Sequence, residues 1–102
     1  MTVYVDVDET ICLTPEDRDY SKAQPLEDRI KVINKFYDDG HTIVYWTARG
    51  SVTGIDWTEL TVMQLKEWGA KYHKVVLGKP HFDLYICDKS VNSEVFFSGA
   101  GL

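Results

Sequence analysis

Two aspartates stand one residue apart near the start of the chain, after a short run of β-forming residues. In the stretch "VYVDVDETICLTP" these are Asp6 and Asp8. Side chains alternate along a strand, so both carboxylates are expected on one face, at the carboxyl end of the strand. Two like charges this close are unfavourable unless a cation or a shared proton relieves them. The pair predicts a cation site, and the plain structural alternative is a helix cap or a solvated turn.

Polar side chains also end three later apolar segments. Thr47 ends "IVYWT", Lys79 follows "VVLG" in a rigid Gly-Lys-Pro loop, and Asp88 ends "LYICD". Singly, these are typical of a β-forming residue, a solvated lysine and a turn. Carboxylates at the ends of two strands of one parallel sheet, however, suit Mg²⁺, which binds one or two carboxylates together with waters and substrate phosphate. The set therefore predicts a Mg²⁺ and phosphate site.

The elements that must position these residues alternate between strand and helix. Residues 25–40 and 56–69 have helical patterns, with Pro25 expected in the first helical turn and Gly40 at a C-terminal cap. Because the strands are apolar throughout, the pattern favours a parallel sheet covered on both sides, with ligands at the carboxyl ends of its strands. The tail, 91–102, is either an edge strand or a docking segment. The predicted strands are Val3–Val7, Thr42–Trp46, "HKVVLG" and "LYICD".

Composition restricts the class of protein. The chain has 102 residues, 44% of them hydrophobic and 26% charged, which fits one globular domain spanning 1–102. Its net charge of −5 argues against nucleic acid as a partner, although not against phosphate. The two cysteines form no CxxC pair, and there is neither a membrane-length apolar run nor a signal-peptide pattern. A cytoplasmic protein without membrane contact is expected.

Taken in order, the motifs DxDxT, Thr, Lys and Asp resemble those of the haloacid dehalogenase superfamily of phosphotransferases. "DVDET" resembles its first motif, "IVYWT" its second, Lys79 its third and "LYICD" its fourth. The short length, with "TARG" and "GKPHFDLYICDKSVN", is similar to small phosphatases found with capsule and surface-polysaccharide genes. The resemblance implies a single Rossmann-like three-layer αβα domain with no large cap domain. One departure is Cys87, which stands where members of the family often have a second acidic residue.

The resemblance implies a phosphoaspartate mechanism. Asp6 would be the nucleophile and Asp8 the general acid and base, while Thr47 and Lys79 would bind the phosphoryl oxygens. Mg²⁺ would be held by Asp6, by the backbone carbonyl of Asp8, by Asp88 and by waters.

The substrate would be bound by residues around this centre. Thr10, which is also expected to stabilise the turn after the first strand, is a candidate together with Arg18, Lys22 and Arg49. Residues 9–24 would form a flap over the site. Because so short a chain has few residues with which to enclose a substrate, a homo-oligomer is expected in which a neighbouring subunit supplies part of the cap.

The leading hypothesis is a Mg²⁺-dependent phosphatase that acts on a small phosphorylated metabolite, such as a sugar phosphate of capsule or surface-polysaccharide synthesis. Two alternatives stay open. One is a phosphatase acting on nucleic-acid ends or phosphoproteins, because an uncapped site leaves room for a large substrate. The other is a module that binds phosphate without catalysis.

Overall fold

Three parallel strands form the central sheet. The structure, a computed structural model, describes residues 1–102. The three strands are β1 Thr2–Val5, β4 Thr42–Trp46 and β5 Lys74–Val76. In the order β1-β4-β5, Val3 lies beside Ile43, and Val44 lies beside Lys74, so the predicted parallel sheet is confirmed for these three strands. The first strand ends before Asp6 and not at the predicted Val7, because the carbonyl of Val7 already accepts from the N–H of Ile11 at 3.0 Å in the turn that follows.

The first predicted helix forms as α1, Glu27–Asp38, and packs on β4. Its Ile30 and Ile33 are buried, as the helical spacing requires. Gly40 follows at a φ of +96°, where the amide N–H donates to the carbonyl of Tyr37 at 3.1 Å. This left-handed turn ends the helix and directs the chain into β4.

Pro25 does not begin that helix, which corrects the sequence prediction. It pairs instead with Cys12 in a short antiparallel pair, β2 Cys12–Leu13 and β3 Gln24–Pro25. The N–H of Leu26 then donates to the carbonyl of Ile11 at 2.8 Å, so the chain stays extended. The fixed φ of proline suits a first helical turn and an edge strand alike, so its presence could not decide between them. The pair closes the base of the flap.

The second predicted helix forms as α2, Thr58–Glu67. Asp56 acts at its start, since Oδ1 accepts from the N–H of Thr58 at 2.9 Å. Of its apolar residues, only Leu65 is fully buried, and it is accompanied by two polar residues, Thr61 and Gln64. Those polar side chains are buried because they bind a residue of the candidate site.

The predicted fourth strand, "LYICD", is not formed in this structure. Residues 84–88 form no strand, and the Leu84 and Ile86 side chains are 76% and 87% exposed. An apolar β-forming run does not specify which strand edge it will pair with. The outer edges of β1 and β5 both remain unpaired.

The tail is a docking segment rather than an edge strand. It forms α3, Ser93–Gly99, which begins where Asn92 Oδ1 accepts from the N–H of Glu94 at 2.9 Å. Phe97 is 2% exposed and packs into the core with Ile30, while the Arg29 guanidinium lies 4.7 Å from its ring centroid. No helix of the chain combines the length and apolar character that crossing a bilayer requires.

Candidate active site

The carboxyl ends of the three parallel strands open into a cavity of about 680 Å³. Asp6 follows β1, Thr47 follows β4 and Lys79 lies three residues beyond β5. All three line the cavity with Asp8, Arg18 and Arg49. The structure thus brings together six of the nine sequence-predicted site residues, at the predicted edge of the sheet.

Asp6 is the carboxylate that faces the cavity. Its side chain is 41% exposed, with Lys79 Nζ 3.4 Å from Oδ1. Thr10 Oγ1 donates to Oδ2 over 3.4 Å, so Thr10 holds Asp6 rather than lining the cavity. Burial raises the pKa of Asp6 above its ordinary value. The positive charge of Lys79 lowers this pKa in part, whereas the negative charge of Asp8 raises it further. Because the contacts of Asp6 with Lys79 and Thr10 are both long, at 3.4 Å, an oxygen of Asp6 is free to approach a ligand.

Thr47 and Lys79 line the cavity next to Asp6. The Thr47 hydroxyl accepts from the N–H of Arg49 at 3.1 Å, which leaves its own O–H able to donate. The N–H of Lys79 donates to the carbonyl of Thr47 at 3.1 Å. Lys79 Nζ also lies 5.4 Å from the ring centroids of both Trp46 and Phe82. This lysine is therefore a positioned cation rather than a mobile surface group.

Asp8 is bound by Arg49 through two separate nitrogens. Arg49 Nη2 lies 2.9 Å from Asp8 Oδ1, and Nε lies 3.0 Å from Oδ2. The Thr14 hydroxyl donates to Oδ1 at 2.6 Å. A bidentate guanidinium–carboxylate contact fixes orientation as well as charge. These contacts fix the orientation of the Asp8 carboxylate at the wall of the cavity.

Arg49 is buried and uses its donors within the protein. Its Nη1 donates to Thr61 Oγ1 at 3.2 Å and to Gln64 Oε1 at 2.6 Å, and its guanidinium carbon lies 4.8 Å from the Tyr20 ring centroid. The side chain has no exposed area. This corrects the prediction that Arg49 binds substrate, because its N–H groups already meet Asp8 and α2. Arg49 is a positioning residue for Asp8.

Sequence reasoning missed Thr14, Thr61 and Gln64. A signal for the last two existed, since they are three residues apart on the buried side of a helix where apolar residues were expected. Polar residues in such places are normally hydrogen-bonded, and here their partner is the arginine of "TARG". Thr14 gave no comparable signal, because its role depends on the turn between Asp8 and β2.

The loop after β4 requires glycine at position 50. Gly50 has a φ of +81°, and a Cβ there would lie 2.0 Å from the carbonyl oxygen of Ile55. The N–H of Gly54 donates to the Gly50 carbonyl at 2.8 Å, which closes the loop upon itself. This close approach fixes the wall that faces the flap.

The flap contributes one of its two predicted cations. Arg18 lines the cavity and pairs with Glu9, with Nη1 3.3 Å from Oε1. Lys22 lies outside the cavity and points to Asp19, 3.7 Å away, with 67% of its side chain exposed. The prediction that Lys22 contacts substrate is therefore not supported by its position.

Asp88 is not brought to the cavity. Its side chain is 81% exposed and pairs with its neighbour Lys89 at 3.0 Å. No group of three or more His, Cys, Asp or Glu side chains lies close enough together to hold a metal ion. The predicted set of Asp6, Asp8 and Asp88 is not assembled in this structure, because residues 84–88 do not form the strand that would carry Asp88 to the sheet.

The two cysteines lie in different environments, Cys12 buried and Cys87 partly exposed. Burial raises the pKa of Cys12 to about 12, and its Sγ lies 3.6 Å from Asp8 Oδ1. The pKa of Cys87 is lowered, chiefly because the N–H of Lys89 donates to its sulfur at 3.4 Å. We expect iodoacetamide at mildly alkaline pH to label Cys87 in the native protein and Cys12 only after denaturation. Peptide mass spectrometry with Cys87→Ala as the control checks this, and native labelling of Cys12 would contradict it.

Comparison with known proteins supports the fold. No protein-family model and no curated protein matches the chain. A crystal structure of a structural-genomics target from Vibrio cholerae, whose name states no activity, superposes with a TM-score of 0.83 at 27% sequence identity. The match covers 95% of this chain and 87% of that one. The α/β arrangement is therefore shared with a protein of nearly the same length.

Proposed function

We propose that this chain is a Mg²⁺-dependent phosphatase of the haloacid dehalogenase superfamily that hydrolyses a small phosphate monoester through a phosphoaspartate. The observation that carries the proposal is that Asp6, Thr47 and Lys79, each following a different strand, line one cavity. The Asp6 carboxylate is open to that cavity, and Lys79 lies next to it. A carboxylate with an adjacent cation and hydroxyl donor suits attack on a phosphoryl group.

Asp6 is the proposed nucleophile. An oxygen of its carboxylate attacks phosphorus, a phosphorus–oxygen bond to Asp6 forms, and the bond to the leaving oxygen breaks. Lys79, 3.4 Å from Asp6, and the free O–H of Thr47 stabilise the charge on the phosphoryl oxygens. Burial removes water from the Asp6 carboxylate, and this loss of solvation disfavours its ionised form.

Asp8 is the proposed acid and base. Its Oδ1 is crowded by Arg49 Nη2 and the Thr14 hydroxyl, whereas Oδ2 accepts only from Arg49 Nε at 3.0 Å. A second lone pair on Oδ2 can therefore carry the proton that Asp8 gives to the leaving oxygen. In the second step Asp8 takes a proton from water, whose oxygen attacks the phosphoaspartate, and inorganic phosphate and free Asp6 result.

The oxygen donors available at the cavity fit the smallest set of protein ligands that Mg²⁺ commonly uses. Asp6 offers a cavity-facing carboxylate, and Mg²⁺ commonly binds only one or two carboxylates together with waters and phosphate oxygens. When bound, the ion would offset the repulsion between an anionic carboxylate and an anionic phosphate. Asp6 would hold it, with the Asp8 carbonyl and Asp88 as the further proposed ligands.

Asp88 reaches the site if residues 84–88 pair with the open edge of β1. This edge adjoins Asp6, whereas the open edge of β5 is two strands away. The exposure of Leu84 and Ile86 supports a second, paired position for the segment. The sheet would then have four strands, in a Rossmann-like three-layer domain.

Chelation is expected to stop hydrolysis of p-nitrophenyl phosphate, and added Mg²⁺ to restore it. Asp88→Ala should raise the Mg²⁺ concentration for half activity by at least about tenfold, as loss of a metal partner commonly does. Asp83→Ala removes a carboxylate from the same segment and serves as the matched control.

Hydrogen exchange gives a second readout, because Mg²⁺ should slow exchange at residues 84–88 if they pair with β1. Unchanged exchange together with an unchanged Mg²⁺ requirement in Asp88→Ala would remove Asp88 from the metal site. Full activity in the presence of chelator would remove the metal itself.

Three further properties are part of the proposal. They are a cytoplasmic location, a role in the metabolism of capsule or surface polysaccharide, and self-association that covers the open site. Light scattering at assay concentration tests the last, and a monomer with full activity would contradict it.

A further inference from the structure

The cavity is larger than a phosphoryl group needs. Its volume of about 680 Å³ is in the range of pockets that enclose a whole small-molecule ligand. Asp6, Thr47 and Lys79 occupy the floor, where the strands end. The remaining space lies between the flap, the loop after β4 and the loop after β5, and it is available for the group that leaves with the ester oxygen.

The wall of that space is apolar and aromatic. Trp57 and Tyr20 line it from two different segments, with ring centroids 5.2 Å apart in an edge-to-face arrangement. Ile55 and Phe82 also line it, although 54% and 42% of each is exposed to solvent. Large apolar side chains left open around one concave surface indicate contact with a ligand. Contact with Tyr20 holds the Trp57 ring in place, so little side-chain entropy is lost when a ligand stacks on it.

The charges around this space do not favour a second anion. Four carboxylates line the cavity against three cations, Arg18, Arg49 and Lys79. Arg49 is used by Asp8 and Lys79 by Asp6, which leaves Arg18 at the flap. Arg18 is itself paired with Glu9, and Asp17 lies beside it on the cavity wall. The flap side therefore carries an excess of one negative charge.

We infer that this space is a leaving-group subsite for an uncharged, ring-shaped group, which stacks on the aromatic wall formed by Trp57 and Tyr20. The inference rests on the proposed phosphatase activity and adds the class of ester to it. A sugar ring and an aryl ring share the required chemistry, namely an apolar face that can stack on an aromatic side chain and the absence of a second anion. Contacts to a leaving group raise the rate of the chemical step when they are retained in the transition state.

Matched esters test the charge requirement. Phenyl phosphate is compared with 4-carboxyphenyl phosphate, and glucose 1-phosphate with glucuronic acid 1-phosphate, while acetyl phosphate reports phosphoryl transfer without a ring. We expect kcat/KM to fall by at least about tenfold when the carboxylate is added, since like charges repel at short range. The aryl and sugar pairs also show which kind of ring is preferred.

Variants locate the effect on the proposed wall. Trp57→Ala should lower kcat/KM for the preferred ring ester about tenfold more than for acetyl phosphate. Asp17→Asn should reduce the discrimination against the carboxylated esters, whereas Asp39→Asn, a carboxylate at the far end of α1, should not alter it.

The outcomes separate this inference from the phosphatase proposal. Hydrolysis of acetyl phosphate with equal kcat/KM for neutral and carboxylated esters would overturn the subsite and leave the phosphatase. Preference for the carboxylated esters would also overturn it, and would assign Arg18 to a second anion. Absence of hydrolysis of all the esters and of acetyl phosphate would overturn the phosphatase proposal and with it the subsite.

Discussion

Replacing Asp6 by asparagine is expected to abolish hydrolysis of phosphate esters and, in metal-free buffer, to raise the melting temperature at neutral pH. Activity is lost because an amide oxygen is a poor nucleophile and cannot form the phosphoaspartate. Stability rises because the fold disfavours the ionised carboxylate. Burial raises the pKa of Asp6, and the nearby cation of Lys79 opposes this only in part.

The sign of the pH dependence follows from that raised pKa. The folded protein binds the Asp6 proton more tightly than the unfolded chain does, so the contribution of Asp6 to stability is full below its unfolded pKa of about 3.9. It is lost as the pH rises through the raised folded value. The difference in melting temperature between Asp6→Asn and the wild type should therefore be small near that unfolded value and widen toward neutral pH.

Calorimetry over this pH range in the presence of EDTA measures the effect, with Asp39→Asn as the control for an exposed carboxylate. The solvent-exposed part of Asp6 reduces the expected size of the shift. An Asp6→Asn variant that keeps wild-type kcat would show that Asp6 is not the nucleophile. A stability difference that shrinks with rising pH would contradict the assigned electrostatics.

Arg49→Ala is expected to lower the free energy of unfolding by about 3–5 kcal/mol, as removal of one partner from a buried ion pair does. The variant leaves Asp8 without its two guanidinium contacts and leaves Thr61 and Gln64 without their donor. Denaturant unfolding measures the loss. If Arg49→Ala does not fold, Arg49→Lys serves instead, because it keeps the charge but lacks the planar fork.

The role of Arg49 in positioning Asp8 has its own readout. Arg49→Lys should reduce kcat by about 10²-fold or more, in the range of lost acid–base catalysis, with a smaller change in KM. It should also alter the pH profile of kcat, since Asp8 loses its bidentate partner. The Arg49→Lys/Asp8→Asn double variant should be only slightly less active than Asp8→Asn alone, because the two residues act as one unit. A raised KM with an unchanged kcat would contradict this role and would indicate that Arg49 binds substrate.

The sequence predicted the elements that local pattern determines. β4 has the predicted bounds, β1 forms over Thr2–Val5 where Val3–Val7 was predicted, and α1 ends before Gly40 as the glycine indicates. The edge at which Asp6, Thr47 and Lys79 meet followed from parallel topology alone. Each of these depends on residues that are close in sequence or on one rule about strand ends.

The features that escaped prediction depend on partners distant in sequence. Arg49 was expected to bind substrate, but it is buried against Thr61 and Gln64, twelve and fifteen residues further along, which turn inward on α2. Residues 84–88 have the composition of a strand, yet composition does not specify which strand edge the segment would join. Pro25 suited two conformations, and the carbonyl of Ile11 decided between them.

Mass spectrometry of Asp8→Asn after an acid quench tests the phosphoaspartate most directly. The variant keeps Asp6 but lacks the base that activates water, so phosphoenzyme should accumulate with p-nitrophenyl phosphate and Mg²⁺. One phosphoryl group is expected on the peptide that contains Asp6, and none in the Asp6→Asn/Asp8→Asn double variant. A phosphoryl group on another residue, or wild-type enzyme that releases p-nitrophenol while no phosphoryl group is trapped on Asp6 in Asp8→Asn, would contradict it.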